Sequence, residues 1–289
     1  MTASDAVQPP AFVDLHSHST ASDGSSTPAE VISAAVAAGL TAIALTDHDS
    51  VSGVPEATAA GARLGIRVIA GTELSAHDDA GREVHLLGLH LASLAPLEEA
   101  LVKLRGVRLA RAEEIVRKLN ALGVAVRMDK VLEEAQGGAL GRPHVARALI
   151  AGGFVYNSRE AFDRYLGNAR PAYVDKARLA VADAIRLVHD ADGIAVLAHP
   201  GPDGKRERLE WFQRLGLDGV EVRHPSHSAE DETRLRELTT TLGLLPSGGS
   251  DWHGAQAGQR VLGCMHVTAE WLARQDDVIA SRRRARLSA

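Results

Sequence analysis

Short apolar runs alternate along this chain with longer stretches whose apolar positions recur at helical spacing. AFVDLHSH reads as a strand passing into a loop. STPAEVISAAVAAG follows as a helix. Thr27 caps it, Pro28 suits the first helical position, Glu30 completes a capping box and Gly39 ends it. TAIALTDHD is a buried strand with a polar tip, VPEATAAGARLG a helix, IRVIAGTEL a strand, and EVHLLGLHL alternates as a further strand.

From about Ala95 the rhythm changes. LEEALVKLRGVRLARAEEIVRKLNALG carries a long helical pattern, and three further helical pieces follow to about Arg170. After PAYVDK the alternation resumes, with AVADAIRLVHDAD, LEWFQRLG and SAEDETRLRELTTTLG as helices and GIAVLAHP, GVEVRHP and LLPSGGSDWHG as strands. Repeated strand–helix units predict a mostly parallel sheet, open or closed into a barrel. The expected organisation is a barrel built from residues 11–97 and 171–289, interrupted over 98–170 by a helical insertion that contributes to substrate binding, with residues 1–10 as a loose tail. The sequence contains no internal repeat and no low-complexity tract.

Composition narrows the picture. The chain of 289 residues is 45% hydrophobic but only 3% aromatic, so its core is built mainly from Ala, Val, Leu and Ile. That length allows one large core, or one core with an inserted subdomain. A net charge of -5 argues against a general basic surface for long nucleic acid and leaves room for a local basic pocket. Cys264 is the only cysteine, which excludes an intrachain disulfide framework; it is expected to be a small buried residue. MTASDAVQPP has neither a basic n-region nor an apolar h-region, so no secretory leader is expected. The run VISAAVAAGL is too short to span a bilayer. The expectation is a soluble, cytoplasmic protein without membrane association and with no readable stable protein partner.

Candidate chemistry gathers where the strands end. His16, His18, Asp47, His48, Glu73, His199, His224, Asp251 and His253 all lie in or just after predicted strands. In (β/α) barrels such positions converge on one pocket. His16 and His18 share a face if extended, and imidazole nitrogens with carboxylates suit zinc, manganese or iron. An HxH pair alone is weak evidence. One multinuclear site, however, accounts together for HxH, Asp23, Asp47-His48, Glu73, His85, His199 and Asp251-x-His253.

HSHSTASDG, LTDHDSVSG, GTELSA, EVHLLG, LAHP and SDWHG, in this order, resemble the PHP (polymerase and histidinol phosphatase) family over nearly the whole chain. The resemblance implies an α/β fold, a distorted (β/α)7 barrel with a small helical insertion, and two or three divalent metal ions. It assigns His16, His18, Glu73 and Asp251 to one metal, Asp23, His48 and His253 to a second, and Glu73, His85 and His199 to a third, with Glu73 bridging. Manganese is the expected ion, with iron or zinc as alternatives. The implied activity is hydrolysis of a phosphate ester. Divalent cations stabilise charge on the phosphoryl group and acidify a water for in-line attack, so no Ser or Cys nucleophile is needed. The general acid stays open between a histidine and a metal-bound water.

GRPHVARALIAGGFV and FDRYLGNARPAYVDK resemble the family branch that includes nucleoside 3′,5′-bisphosphate phosphatases and RNase AM-type 5′→3′ exoribonucleases. Arg142 and His144 open a predicted helix, where backbone N–H groups also favour anions, so they are candidates for clamping a phosphate. Lys176 and His224 are further candidates for the second phosphate or the sugar, as are Arg108 and Arg111, three apart on one helix. Arg105, the other histidines and the SRRRAR run read as structural or solvated. The expected reaction converts a nucleoside 3′,5′-bisphosphate to the 5′-monophosphate and inorganic phosphate. Exonucleolytic cleavage of short 5′-phosphorylated RNA and hydrolysis of histidinol phosphate are the alternatives. A non-catalytic, polymerase-associated module is disfavoured by the full set of candidate ligands.

Overall fold

A computed structural model describes residues 11–135, 140–175, 179–255 and 260–288. The elements run β1 (Phe12–Asp14), α1 (Pro28–Ala37), β2 (Ala42–Leu45), α2 (Val54–Leu64), β3 (Arg67–His77) and β4 (Glu83–Leu89). Then come α3 (Leu94–Ala121), α4 (Met128–Ala135), α5 (Arg142–Ala151) and α6 (Ser158–Ala161). The chain closes with α7 (Val181–Asp190), β5 (Ile194–Leu197), α8 (Arg206–Arg214), β6 (Gly219–Arg223), α9 (Ala229–Leu242), β7 (Leu245–Gly248), β8 (Val267–Thr268) and α10 (Ala269–Leu287). Local signals act as the sequence implies. Thr27 and Glu30 form the capping box of α1, and Pro28 occupies its first turn.

The strands form one sheet in the order β7-β6-β5-β4-β3-β2-β1-β8. β1, β2 and β3 pair in parallel, and so do β5, β6 and β7. β4, however, is antiparallel to both neighbours, and β8 is antiparallel to β1, so the sheet is more mixed than repeated strand–helix units imply. The reason for β4 is local. Asp78 and Arg82 close a tight turn after β3, with Asp78 N–H on Arg82 O at 3.0 Å, and a short turn can only join antiparallel strands.

The sheet curls until its ends meet. Leu15 N–H reaches Gly248 O at 3.1 Å and Asp251 N–H reaches His16 O at 2.9 Å, which joins the end of β1 to the end of β7. The product is a nearly closed, distorted barrel with helices packed outside it. Leu15, Leu87, Leu89, Ile194 and Val196 are fully buried in one apolar cluster, with Leu86, Leu101, Ile185, Leu209 and Phe212 in another. Between β4 and β5, helices α3 to α6 share their own cluster around Ile115, Leu119, Val131, Val145, Leu149 and Leu166. Among the described residues no helix is long and apolar enough to cross a membrane.

One reading of the sequence holds only in part here, and another fails. SRRRAR is solvated apart from the half-buried Arg282, but it is not a tail. It lies within α10, where Arg282 pairs with Asp218 and Arg286 with Asp192, while Leu272, Gln275 and Ile279 form the buried stripe beneath. Composition hid that helical spacing. Cys264 is exposed rather than buried, because it sits in the loop before β8.

The seam yields a prediction. A Cβ placed on Gly249 falls 2.4 Å from His16 N and 2.5 Å from His16 Cβ. Gly249→Ala is expected to lower stability by roughly 2 kcal/mol or more, because backbone must move to admit the methyl group. Urea denaturation measures this; an unchanged midpoint would show that the closure has slack.

Candidate metal centre

Strand direction explains why distant residues meet. β1, β2, β5 and β7 point their carboxyl ends to one rim of the barrel, which delivers His16 and His18, His48, His199, and Asp251 with His253. Glu73 lies within β3 on the same side. β4 runs the other way, so His85 arrives near its amino end, in register with Ser75. The isolated bridges Ser17 to Trp252 and His48 to Glu73 carry the parallel pairing past the strands and tie these loops together.

Glu73 stands at the centre, almost fully buried. Its Oε2 lies 3.2 Å from His16 Nε2, 3.4 Å from His18 Nε2 and 3.2 Å from His48 Nδ1. Its Oε1 lies 2.8 Å from His85 Nδ1 and 3.0 Å from His199 Nε2. Asp251 Oδ1 faces the same pair of rings, 3.4 Å from His16 Nε2 and 3.1 Å from His18 Nε2. Thus His16, His18, Glu73 and Asp251 form one cluster with ligand atoms within 4.8 Å of one another. His18, Asp23, His48 and His253 form a second, and His48, Glu73 and His85 a third. Two details differ from the expected grouping. His18 also reaches the second cluster, and His48 groups with Glu73 and His85 as well, while His199 Nε2 approaches Glu73 Oε1 at 3.0 Å.

Several features of the donor set fit divalent cations. Nε2 of His16 and Nε2 of His18 face each other at 3.1 Å. Ligands about 2.1 Å from one ion lie roughly 3.0–3.4 Å apart, which is the spacing seen here. His253 Nδ1 lies 2.9 Å from the Asp251 carbonyl, an acceptor only, so Nδ1 carries the proton and Nε2 is left with its lone pair. The buried Nδ1 atoms of His18, His48 and His85 make no aligned hydrogen bond, although those of His48 and His85 approach Glu73. Orphaned ring nitrogens around carboxylates are what a cation would satisfy.

Electrostatics holds the carboxylates in ligand form. Burial opposes ionisation of Glu73, but His48, His85 and His16 outweigh it and keep its carboxyl well below the usual range. Burial likewise opposes Asp251 and Asp23, and adjacent histidines hold both low. The rings divide. Burial pushes His18 down to about 4, whereas Glu73 overcomes burial and lifts His85 to about 10.

Supporting residues surround the clusters; the sequence pointed to Asp47 but not to Asp14, Arg260 or Glu221. Asp47 accepts from Ser19 N–H at 2.7 Å and Ser22 Oγ at 2.7 Å, fixing the loop that carries His18 and Asp23. Asp14, with its pKa raised by burial, accepts from Ser250 N–H at 2.9 Å and Gly263 N–H at 2.9 Å. Asp251 also pairs with Arg260. Glu221 is fully buried beside His16. It had a signal: a carboxylate between the valines of GVEVR points opposite to them, toward the barrel interior.

Of the candidate substrate residues, Arg108, Arg111, Arg142 and His144 line one cavity of about 330 Å³, together with Glu83 and Phe162. Arg142 donates through Nη1 to Leu166 O at 2.9 Å and lies over the rings of Phe162 and Tyr173. His144 Nδ1 accepts from Gly141 N–H at 2.9 Å, so it does cap its helix. Burial and Arg147 lower the His144 pKa. Glu83, in the wall of this cavity, lies 3.9 Å from His85 Nε2, so the cavity adjoins the third cluster. Arg108 is engaged by Asp49 and by Ser75 O, and Arg111 donates to Val174 O and Asp175 O. Arg105 is not a solvated residue; it binds Asp49 O and pairs with Glu98. His224 is buried away from this cavity, 3.3 Å from Asp251 Oδ2. Lys176 lies outside the described residues.

Residues 14–104 match the PHP domain. The chain is 38% identical over 261 residues to the 3′,5′-nucleoside bisphosphate phosphatase of Chromobacterium violaceum, covering 88% of this chain and 91% of that protein. It is 37% identical to the 5′-3′ exoribonuclease of Haemophilus influenzae, covering 83% of this chain and 89% of that protein. The crystal structure of a protein from Bifidobacterium adolescentis, designated a metal-dependent phosphoesterase, superposes with a TM-score of 0.73 at 31% identity, over 93% of this chain and 96% of that one.

The geometry around Glu73 predicts that Glu73→Gln weakens divalent-cation binding by more than about 100-fold, since one carboxylate faces five rings. Metal content after dialysis against a chelator checks this. Wild-type retention in the variant would remove Glu73 from the ligand set.

Proposed function

Because the chain belongs to the PHP-domain family of phosphate-ester hydrolases, we propose that it removes the 3′-phosphate from nucleoside 3′,5′-bisphosphates. The observation that carries this reading is the basic cavity of Arg142 and His144, whose wall includes Glu83, 3.9 Å from His85 of the histidine–carboxylate clusters. A substrate with two phosphates fits two such subsites at once. The 3′-phosphate lies at the clusters, and the 5′-phosphate lies on Arg142.

In this reading, His16, His18, Glu73 and Asp251 hold one cation and Asp23, His48 and His253 a second. His85 and His199 hold a third with Glu73. Mixed nitrogen and oxygen ligation suits manganese. Divalent ions so held supply charge neutralisation for the phosphoryl group and acidify a water. The chain's own residues do the rest. Arg142 has Nη1 committed to Leu166 O and turns its remaining guanidinium edge to the substrate phosphate. Arg108 and Arg111 act differently. They anchor α3 to Asp49 and to the 174–175 backbone, which shapes the cavity wall. Asp47 holds the His18–Asp23 loop in place.

A second reading, 5′→3′ exonuclease action on short 5′-phosphorylated RNA, has an observation of its own. A cavity of about 240 Å³, sharing Glu83 with the first, is lined by Glu83, His85, His199, Asp203 and Arg208. It would accept a nucleotide beyond the scissile phosphate.

The test is phosphate release by manganese-loaded protein from adenosine 3′,5′-bisphosphate, beside adenosine 3′-monophosphate, histidinol phosphate and a short 5′-phosphorylated RNA. Arg142→Ala is expected to lower kcat/KM for the bisphosphate about 10- to 100-fold and to leave the 3′-monophosphate nearly unchanged. Equal losses on both would remove the clamp. Turnover of histidinol phosphate alone would overturn the whole reading.

A further inference from the structure

We infer that Glu221 is the positioning residue of the metal centre, its one carboxylate setting both the tautomer of His16 and the backbone of His199. This rests on the reading that these histidines ligate cations.

Glu221 Oε1 lies 3.0 Å from His16 Nδ1. A carboxylate oxygen accepts, so Nδ1 carries the proton and donates. The remaining lone pair of His16 is then on Nε2, the atom that faces His18, Glu73 and Asp251. A carboxylate behind a ligating imidazole fixes ring orientation and raises its basicity. Oε2 does a second job. It accepts the His199 backbone N–H at 2.7 Å. His199 has a φ of +29°, a conformation that a non-glycine residue keeps only when its surroundings impose it. That backbone carries His199 Nε2 to 3.0 Å from Glu73.

The strand is adapted to this placement. A bulge falls between Glu221 and Arg223 in the β6–β7 pairing, and bulges re-aim side chains beside functional sites. His16, Glu221 and His224 also lie close enough together to hold an ion of their own. One neutral imidazole offers a single lone pair, however, and His16 directs it from Nε2 into the first cluster.

Glu221→Gln separates these roles from packing. The amide keeps the shape but offers only one acceptor oxygen. If that oxygen serves His199 N–H, the NH₂ faces His16 Nδ1 and drives the proton to Nε2, where it blocks the ligand. If the oxygen serves His16, two donors meet at His199. We expect Glu221→Gln to keep the far-ultraviolet dichroism and thermal midpoint of the ion-free protein while binding Mn²⁺ about 10- to 100-fold more weakly in chelator competition. Nitrogen-15 spectra of the zinc-loaded wild-type protein should show His16 protonated at Nδ1. Unchanged Mn²⁺ affinity in the variant, or a His16 proton on Nε2 in the wild type, would overturn the inference. His18→Ala serves as the control. If it binds Mn²⁺ as tightly as wild type, the metal-centre reading itself fails, which is a different outcome.

Discussion

A buried carboxylate must be compensated, and Glu73 is compensated by five imidazoles. It sits 1% exposed at the middle of β3, with His16, His18, His48, His85 and His199 around its two oxygens. An isolated charge at that depth would cost many kcal/mol or give up its ionisation. Neighbouring rings keep it ionised, and their arrangement requires four separate chain segments to meet at one rim. Barrel closure, the reversal of β4 and the close approach at Gly249 all serve that convergence.

The rim is held in conformations that backbone preference alone disfavours. Asp49, His199 and Asp251 have φ values of +47°, +29° and +50°. Each costs on the order of 1–3 kcal/mol and persists because hydrogen bonds over-determine it. Asp49 N–H is held by Glu73 O, His199 N–H by Glu221, and Asp251 N–H by His16 O. Two of these three bonds run to a backbone carbonyl of another cluster residue, so the cluster and its strained backbone support each other.

The helices between β4 and β5 are joined to this rim by arginines. Arg105 and Arg108, on α3, bind the carbonyl and carboxylate of Asp49, the residue after His48. The wall of the basic cavity and the loop carrying His48 are therefore parts of one hydrogen-bonded unit. At the barrel's other end, Arg282 and Arg286 of α10 do comparable work on Asp218 and Asp192.

Periodicity and caps made much of this fold legible in advance. The α1 capping box, the strand–helix alternation and the polar tips after apolar runs are local properties, written in consecutive residues. So is the candidate ligand set, because its members lie in or after strands, each within a short motif of its own. The direction of β4 depended on a tight turn, which local patterning passes over. The anchoring of the end of α10 depended on Asp218 and Asp192, far away in the chain. Arg105 read as a surface residue because its partner Asp49, 56 residues away, is brought to it only by folding. His18 joins two clusters for the same reason: spacing in the chain names the donors, while distances between strands decide which donors share a neighbour. Glu221 shows the division most plainly. Its place between two valines is sequence; its reach to His16 and His199, 205 and 22 residues away, exists only once the barrel has closed.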